Sequence, residues 1–181
     1  PRPISSAASD VYKRQPDVLN DEVADTAIAL TLCVYKNIAL ANQFLLEKKW
    51  LKSEYPLSKK FSGTKFGILG MGRIGKTIAK RIESFDCEIC YHSRNQKDVK
   101  YEDFSKLEDL AEYVDTLCVI TPGGEETKQL VNANVLQKLG KNGFLINIAR
   151  GTVIDQEALI YALQNNIIRG AGLDVFENEP N

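Results

Sequence analysis

The tightest constraint in these 181 residues is the run Gly70-Met71-Gly72-Arg73-Ile74-Gly75, set between a short apolar, β-like stretch and a helical pattern. At a strand-to-helix junction, G-x-G-x-x-G demands a tight turn at Gly70, close approach of the backbone to a pyrophosphate at Gly72, and close helix-to-strand packing at Gly75. The helix start then offers free N–H groups and the positive end of its dipole to the phosphates. Such a motif is weak alone. Here a strand precedes it, a helix follows, and a second strand begins 12 residues beyond Gly75. Dinucleotide binding is therefore expected, with Gly70, Gly72, Arg73, Ile74 and Gly75 at the cofactor.

The rest of the chain fits that frame. Short β-like runs at 65–69, 87–91, 116–120, 144–148 and 171–175 alternate with helical patterns at 73–84, 106–113, 133–139 and 156–164. Alternation of this kind is the signature of an α/β fold, here a Rossmann-type doubly wound parallel sheet. Ahead of it, apolar residues recur at Val23, Ala27, Ile28, Leu30, Val34, Ile38 and Ala41, with Asn20 or Asp21 available as cap. The pattern predicts one long helix from about Asn20 to about Lys49. Its broad apolar stripe suits contact with a second copy in a homodimer, or ordinary packing on the domain's own sheet. Residues 1–15 are rich in proline and serine and lack periodicity, so they read as an unstructured leader, in the manner of a cloning scar. The domain proper is expected over 16–181.

Charge excludes some partners. With 23 Lys and Arg against 24 Asp and Glu, the net charge is -1, which leaves no basic footprint for nucleic acid or an anionic membrane surface. No apolar stretch reaches the roughly 18–20 residues of a membrane span. All four cysteines, Cys33, Cys87, Cys90 and Cys118, sit in apolar segments and are expected to be buried, reduced thiols. That fits a reducing, cytoplasmic setting. With His92 as the single histidine, no metal site is expected.

An NAD-selective site places an acid at the end of the second strand, to accept hydrogen bonds from the ribose hydroxyls. This chain instead reads Tyr91-His92-Ser93-Arg94-Asn95, with His92 lying 22 positions past Gly70. A hydroxyl at Ser93 and a guanidinium at Arg94 suit the 2′-phosphate of NADP, and no carboxylate is there to repel it. NADP is expected over NAD, with His92, Ser93 and Arg94 at the adenosine ribose. The plainer alternative makes Arg94 a solvated surface charge.

Two later segments, Phe144-Leu-Ile-Asn-Ile-Ala-Arg150-Gly151 and Gly172-Leu-Asp174-Val-Phe-Glu177-Asn-Glu179-Pro180, resemble the D-isomer-specific 2-hydroxyacid dehydrogenase family. The glyoxylate and hydroxypyruvate reductase branch is the most similar. The fingerprint, Thr121-Pro122-Gly123-Gly124, and these two segments follow the family's order and spacing. The resemblance implies hydride transfer between a nicotinamide cofactor and a small 2-oxo acid. It makes Arg150 the anchor of the substrate carboxylate and Glu179 the catalytic carboxylate that orients a proton-donating histidine. Asp174 becomes an acid near the nicotinamide. Thr121, Pro122 and Thr127 would form the cofactor-contacting loop, Ile148 and Ala149 the backbone at the nicotinamide, and the helix from Asn20 a dimer contact.

In two respects the sequence departs from that pattern. No histidine follows Glu179, and the second, substrate-binding domain is missing, so the expectation is a cofactor-binding fragment without turnover of its own. A phosphoglycerate dehydrogenase-like enzyme is a lower-ranked alternative, because an acid is expected there in place of His92. A nucleotide-sensing corepressor that binds peptides is another, and it too expects an NAD-type residue at that strand end.

Overall fold

A computed structural model describes residues 19–179; the expected leader lies outside them. Among these residues six parallel strands form one sheet: β1 (Lys65–Leu69), β2 (Glu88–His92), β3 (Glu102–Asp103), β4 (Thr116–Val119), β5 (Phe144–Asn147) and β6 (Gly170–Leu173). Their spatial order is β3-β2-β1-β4-β5-β6, the doubly wound arrangement whose crevice opens beyond the C-terminal ends of β1 and β4. The helices are α1 (Asn20–Lys36), α2 (Ile38–Leu46), α3 (Arg73–Ile82), α4 (Leu107–Tyr113), α5 (Ala133–Leu139) and α6 (Gln156–Gln164).

Both sheet faces are covered, and strand alternation shows it. Phe66, Ile68, Cys118, Phe144 and Ile146 pack on the side of α1 and α3. Leu69, Leu117, Val119 and Leu145 pack on the side of α4, α5 and α6. Burial on both faces is why these strands read as nearly continuous apolar runs. The strand expected at 171–175 begins instead at Gly170 and stops at Leu173, which leaves Asp174 in the loop beyond it. Sequence reading missed β3: two acidic residues at a sheet edge carry no apolar signal.

The single long helix expected over residues 20–49 is instead two helices. Asn37 adopts a left-handed conformation (φ 52°), and its N–H bonds to the carbonyls of Cys33 and Val34. Asparagine tolerates that geometry better than most residues, and it ends the helix. The chain turns by 55° into α2. The cap also differs: Leu19 occupies it, and Asp21 lies in the first turn, where it and Asp25 pair with Arg81 of α3 at 2.9 and 2.7 Å.

The stripe of α1, formed by Ala24, Ala27, Thr31 and Tyr35, is buried against α3, β5 and β6 of its own domain. Apolar side chains of α2, Ile38, Leu40, Leu45 and Leu46, remain exposed. Among the described residues no single helix is long and apolar enough to cross a membrane. The cysteine expectation holds for two of four: Cys90 and Cys118 are buried, whereas Cys33 and Cys87 are partly exposed. Burial pushes the Cys118 thiol up to about 12, so it stays protonated.

Tyr35 fixes α1 on the sheet. Its ring lies 4.2 Å from that of Phe144 and 5.0 Å from that of Phe61, centroid to centroid, and its hydroxyl shares a 2.8 Å hydrogen bond with buried Thr116. Tyr35→Phe strands the Thr116 hydroxyl in a dry site and is expected to cost about 1–2 kcal/mol, read from the denaturant midpoint. Tyr35→Phe combined with Thr116→Val should recover much of that loss, because neither polar group is then left unpaired.

Candidate functional site

The site is built from four loops at the C-terminal edge of the sheet, beyond β1, β4, β5 and β6. After β1 the backbone turns at Gly70, where φ is +108°, a conformation that favours glycine. A Cβ at Gly75 would lie 2.3 Å from the Gly70 carbonyl oxygen, so α3 can pack this closely only with glycine there. Around Gly72 nothing lies within 4 Å of such an atom. Gly72 caps α3, whose first turn has no acidic residue. An open glycine before a helix start with no side-chain cap is the cradle a pyrophosphate requires, and Arg73 and Ile74 lie in that first turn.

The end of β2 is tied to this turn. The Gly70 N–H donates to the His92 carbonyl at 2.9 Å, and the Met71 N–H donates to Ser93 Oγ at 2.8 Å. Ser93 accepts there, and its own proton is left to donate outward. The His92 ring meets the Phe104 carbonyl through Nδ1 at 2.7 Å, which holds it on the crossover after β3. Arg94 forms an ion pair with Glu126.

Three glycines join the other loops in sequence across the sheet. At Gly70 a Cβ would meet the Thr121 nitrogen at 3.0 Å, which brings the β1 loop against the β4 loop. One at Gly123 would meet Arg150 Cγ at 2.8 Å, so the β4 loop lies under the Arg150 side chain. At Gly151 it would fall 2.0 Å from the Phe176 carbonyl, and the segment after β6 crosses there. Residues more than a hundred positions apart thereby share one crevice.

The other expected residues fall on this edge, each with its own partners. Thr121 borders the Gly70 turn, and Pro122 follows it in the same loop. The Thr127 hydroxyl donates to the carbonyls of Pro122 at 2.8 Å and Gly124 at 3.1 Å, so it braces its own loop. Ile148 and Ala149 are buried, in opposite halves of the core, and their N–H groups donate to the Val119 carbonyl at 3.2 Å and to Asn147 Oδ1 at 3.0 Å. The Asp174 N–H donates to the Asn147 carbonyl at 2.9 Å. Glu179 Oε1 accepts from the Phe176 N–H at 2.6 Å and so closes the turn that crosses Gly151. Arg150 is exposed, with Nη1 on the Ala149 carbonyl at 2.6 Å. His92 is at the β2 end of the edge, where its ring is tied to the backbone.

Sequence reading passed over Asn147. It is 1% exposed; its Oδ1 accepts from the Ala149 N–H at 3.0 Å, and its Nδ2 donates to the Arg150 carbonyl at 3.2 Å. A single amide thus fixes the turn that aims Arg150. The signal was present, as an amide within an otherwise apolar run. Away from this edge, Glu88, Cys90 and Glu102 bring their ligand atoms within 4.8 Å of one another. Burial pushes the Cys90 thiol up to about 11, which keeps it protonated, and Glu88 accepts the Tyr113 hydroxyl.

Comparison with known proteins places this geometry. Residues 28–181 match the family model described as D-isomer specific 2-hydroxyacid dehydrogenase, NAD binding domain. A glyoxylate/hydroxypyruvate reductase of Arabidopsis thaliana is 45% identical over 166 residues, covering 91% of this chain and 53% of the relative. The hydroxyphenylpyruvate reductase of Plectranthus scutellarioides is 43% identical over 166 residues, with coverage of 91% and 53%. An NADPH-dependent glyoxylate/hydroxypyruvate reductase from Sinorhizobium meliloti, solved in complex with NADP and malonate, superposes with a TM-score of 0.87 at 48% identity, covering 92% of this chain and 53% of that one. The chain spans about half the length of the curated relatives it matches.

Asn147→Leu is close in size but removes both amide contacts. It should lower stability by about 1–3 kcal/mol, because the Ala149 N–H and Arg150 carbonyl lose that partner. An unchanged denaturant midpoint would show that the turn does not depend on the amide.

Proposed function

Because the chain belongs to the D-isomer-specific 2-hydroxyacid dehydrogenases, as their NAD-binding domain, we propose that the whole protein reduces a small 2-oxo acid such as glyoxylate or hydroxypyruvate with NADPH. The observation that carries this reading is the meeting, on one sheet edge, of the open Gly72 turn with Arg150 over Gly123. When bound, the reduced nicotinamide supplies a hydride. Binding and orientation fall to the chain's own residues.

Gly70, Gly72 and Gly75 admit the pyrophosphate to the start of α3, and the N–H groups of Arg73 and Ile74 face it. Thr121 and Pro122, with the backbone at Ile148 and Ala149, bound the path toward the nicotinamide, and Asp174 lies just beyond β6. Arg150 holds the substrate carboxylate, for which its planar fork of donors is suited. Holding the acid by its carboxylate orients the neighbouring carbonyl, and fixing reacting carbons near attack distance supplies much of the rate. The carbonyl oxygen then needs a proton. By the family pattern a histidine gives it and Glu179 orients that histidine; His92, pinned to the Phe104 carbonyl, does not fill this role.

For the cofactor, NADPH is favoured over NADH by two features at the end of β2. The strand end itself, Tyr91 to Asn95, carries no acid, although Glu126 reaches Arg94 from the loop after β4, and Ser93 beside the glycine turn has a proton to donate next to the Arg94 guanidinium. A homodimer in a reducing, cytoplasmic setting completes the reading. Exposed Ile38, Leu40, Leu45 and Leu46 of α2 provide the apolar surface that a second copy would cover.

Arg94→Ala tests the cofactor assignment. Loss of a charge-assisted contact to the 2′-phosphate should weaken NADPH about ten- to a hundredfold, with NADH nearly unchanged, by calorimetric titration. Equal weakening of both cofactors would overturn it.

A further inference from the structure

We infer that Glu126 sets how strongly the site prefers a 2′-phosphorylated cofactor, by competing with that phosphate for Arg94. The inference rests on the reading that Arg94 meets the 2′-phosphate.

Arg94 Nη1 is paired with Glu126 Oε2, and the pair joins the end of β2 to the turn after β4 across 32 residues of sequence. Arg94 comes directly after Ser93, whose hydroxyl accepts the Met71 N–H of the glycine turn. The pair therefore stands beside the turn that receives the pyrophosphate, where a dinucleotide lays its adenosine ribose over the end of the second strand. Its side chains are 80% and 79% exposed. An ion pair so fully in water is weak and exchanges readily.

The Glu126 end is held in place. Residues Glu125–Thr127 form a short 3-10 turn, and the Thr127 hydroxyl binds the carbonyls of Pro122 and Gly124. Glu126 thus projects from a braced turn, at a fixed reach from Arg94.

Charge alone then acts in two ways. A guanidinium has a fork of five donors, and the Glu126 carboxylate occupies the Nη1 end of it, so a 2′-phosphate that binds bidentately through Nη1 has to displace that carboxylate. Once displaced, Glu126 is still nearby, and it repels a phosphate of charge near -2 far more than it repels a neutral ribose hydroxyl. Both effects fall on NADPH and spare NADH. Glu126 lowers the affinity of the cofactor that Arg94 favours, and so moderates the preference.

The test is calorimetric titration of NADPH, NADH, adenosine 2′,5′-bisphosphate and ADP into the unaltered chain, Glu126→Gln, Arg94→Ala and the double variant. Glu126→Gln should tighten NADPH and the bisphosphate about two- to fivefold, the scale of an exposed ion pair. NADH and ADP should stay within experimental error. In the Arg94→Ala background, Glu126→Gln should change the ratio between the two cofactors less than it does in the unaltered chain, because competition for the guanidinium is gone and only the direct repulsion remains. If Glu126→Gln tightens both cofactors equally, or neither, while Arg94→Ala still weakens NADPH selectively, competition by Glu126 is overturned and the role of Arg94 stands. If Arg94→Ala weakens both cofactors alike, the 2′-phosphate assignment fails and the inference falls with it.

Discussion

Everything at the functional edge depends on how closely α3 approaches the turn that precedes it. Gly75 packs on the Gly70 carbonyl at a distance no side chain allows. Gly70 in turn adopts a positive φ that leads the backbone from strand to helix in a single step. Together they set the first N–H groups of α3 at the mouth of the crevice, beside an open Gly72. A helix start that far forward turns its first N–H groups and the positive end of its dipole toward the crevice, before any side chain is considered.

The same device recurs laterally. Gly70 against Thr121, Gly123 under Arg150 and Gly151 beneath the Phe176 carbonyl join the loops of β1, β4, β5 and β6 in order. A parallel sheet delivers its strand ends to one edge as a matter of topology, but packing decides whether the loops there touch. Here the missing Cβ atoms let them touch, and Asn147 holds the last turn by hydrogen bonds through its amide. Arg150 is therefore set by a buried amide below it and a glycine beside it, although its own head is exposed to solvent.

Much of this was legible in the sequence, for physical reasons. The alternation of apolar runs with helical patterns pointed to the doubly wound sheet, because strands buried on both faces have no polar phase to blur them. Gly70, Gly72 and Gly75 could be given separate roles in advance, since each spacing answers a separate steric demand. Other features were not legible. The break at Asn37 interrupts an apolar period that continues on both sides, so periodicity alone joins α1 to α2. The two-residue strand β3 has no apolar signature at all. That the Thr127 hydroxyl braces its own loop depends on how that loop folds back on Pro122 and Gly124. The meeting of Arg94 with Glu126 depends on where two loops come together, which no local pattern encodes.

The most direct test of the account is to follow backbone amide resonances of this chain as NADPH is added. The geometry predicts that the largest shifts fall on Met71, Gly72, Arg73 and Ile74 at the glycine turn and on Ser93 and Arg94 at the end of β2. Smaller shifts are predicted at Thr121 and Ala149, in the adjoining loops. Shifts confined to α1, α2 or the outer faces of α4, α5 and α6, with the glycine turn unmoved, would contradict a cofactor site at the edge where these loops meet.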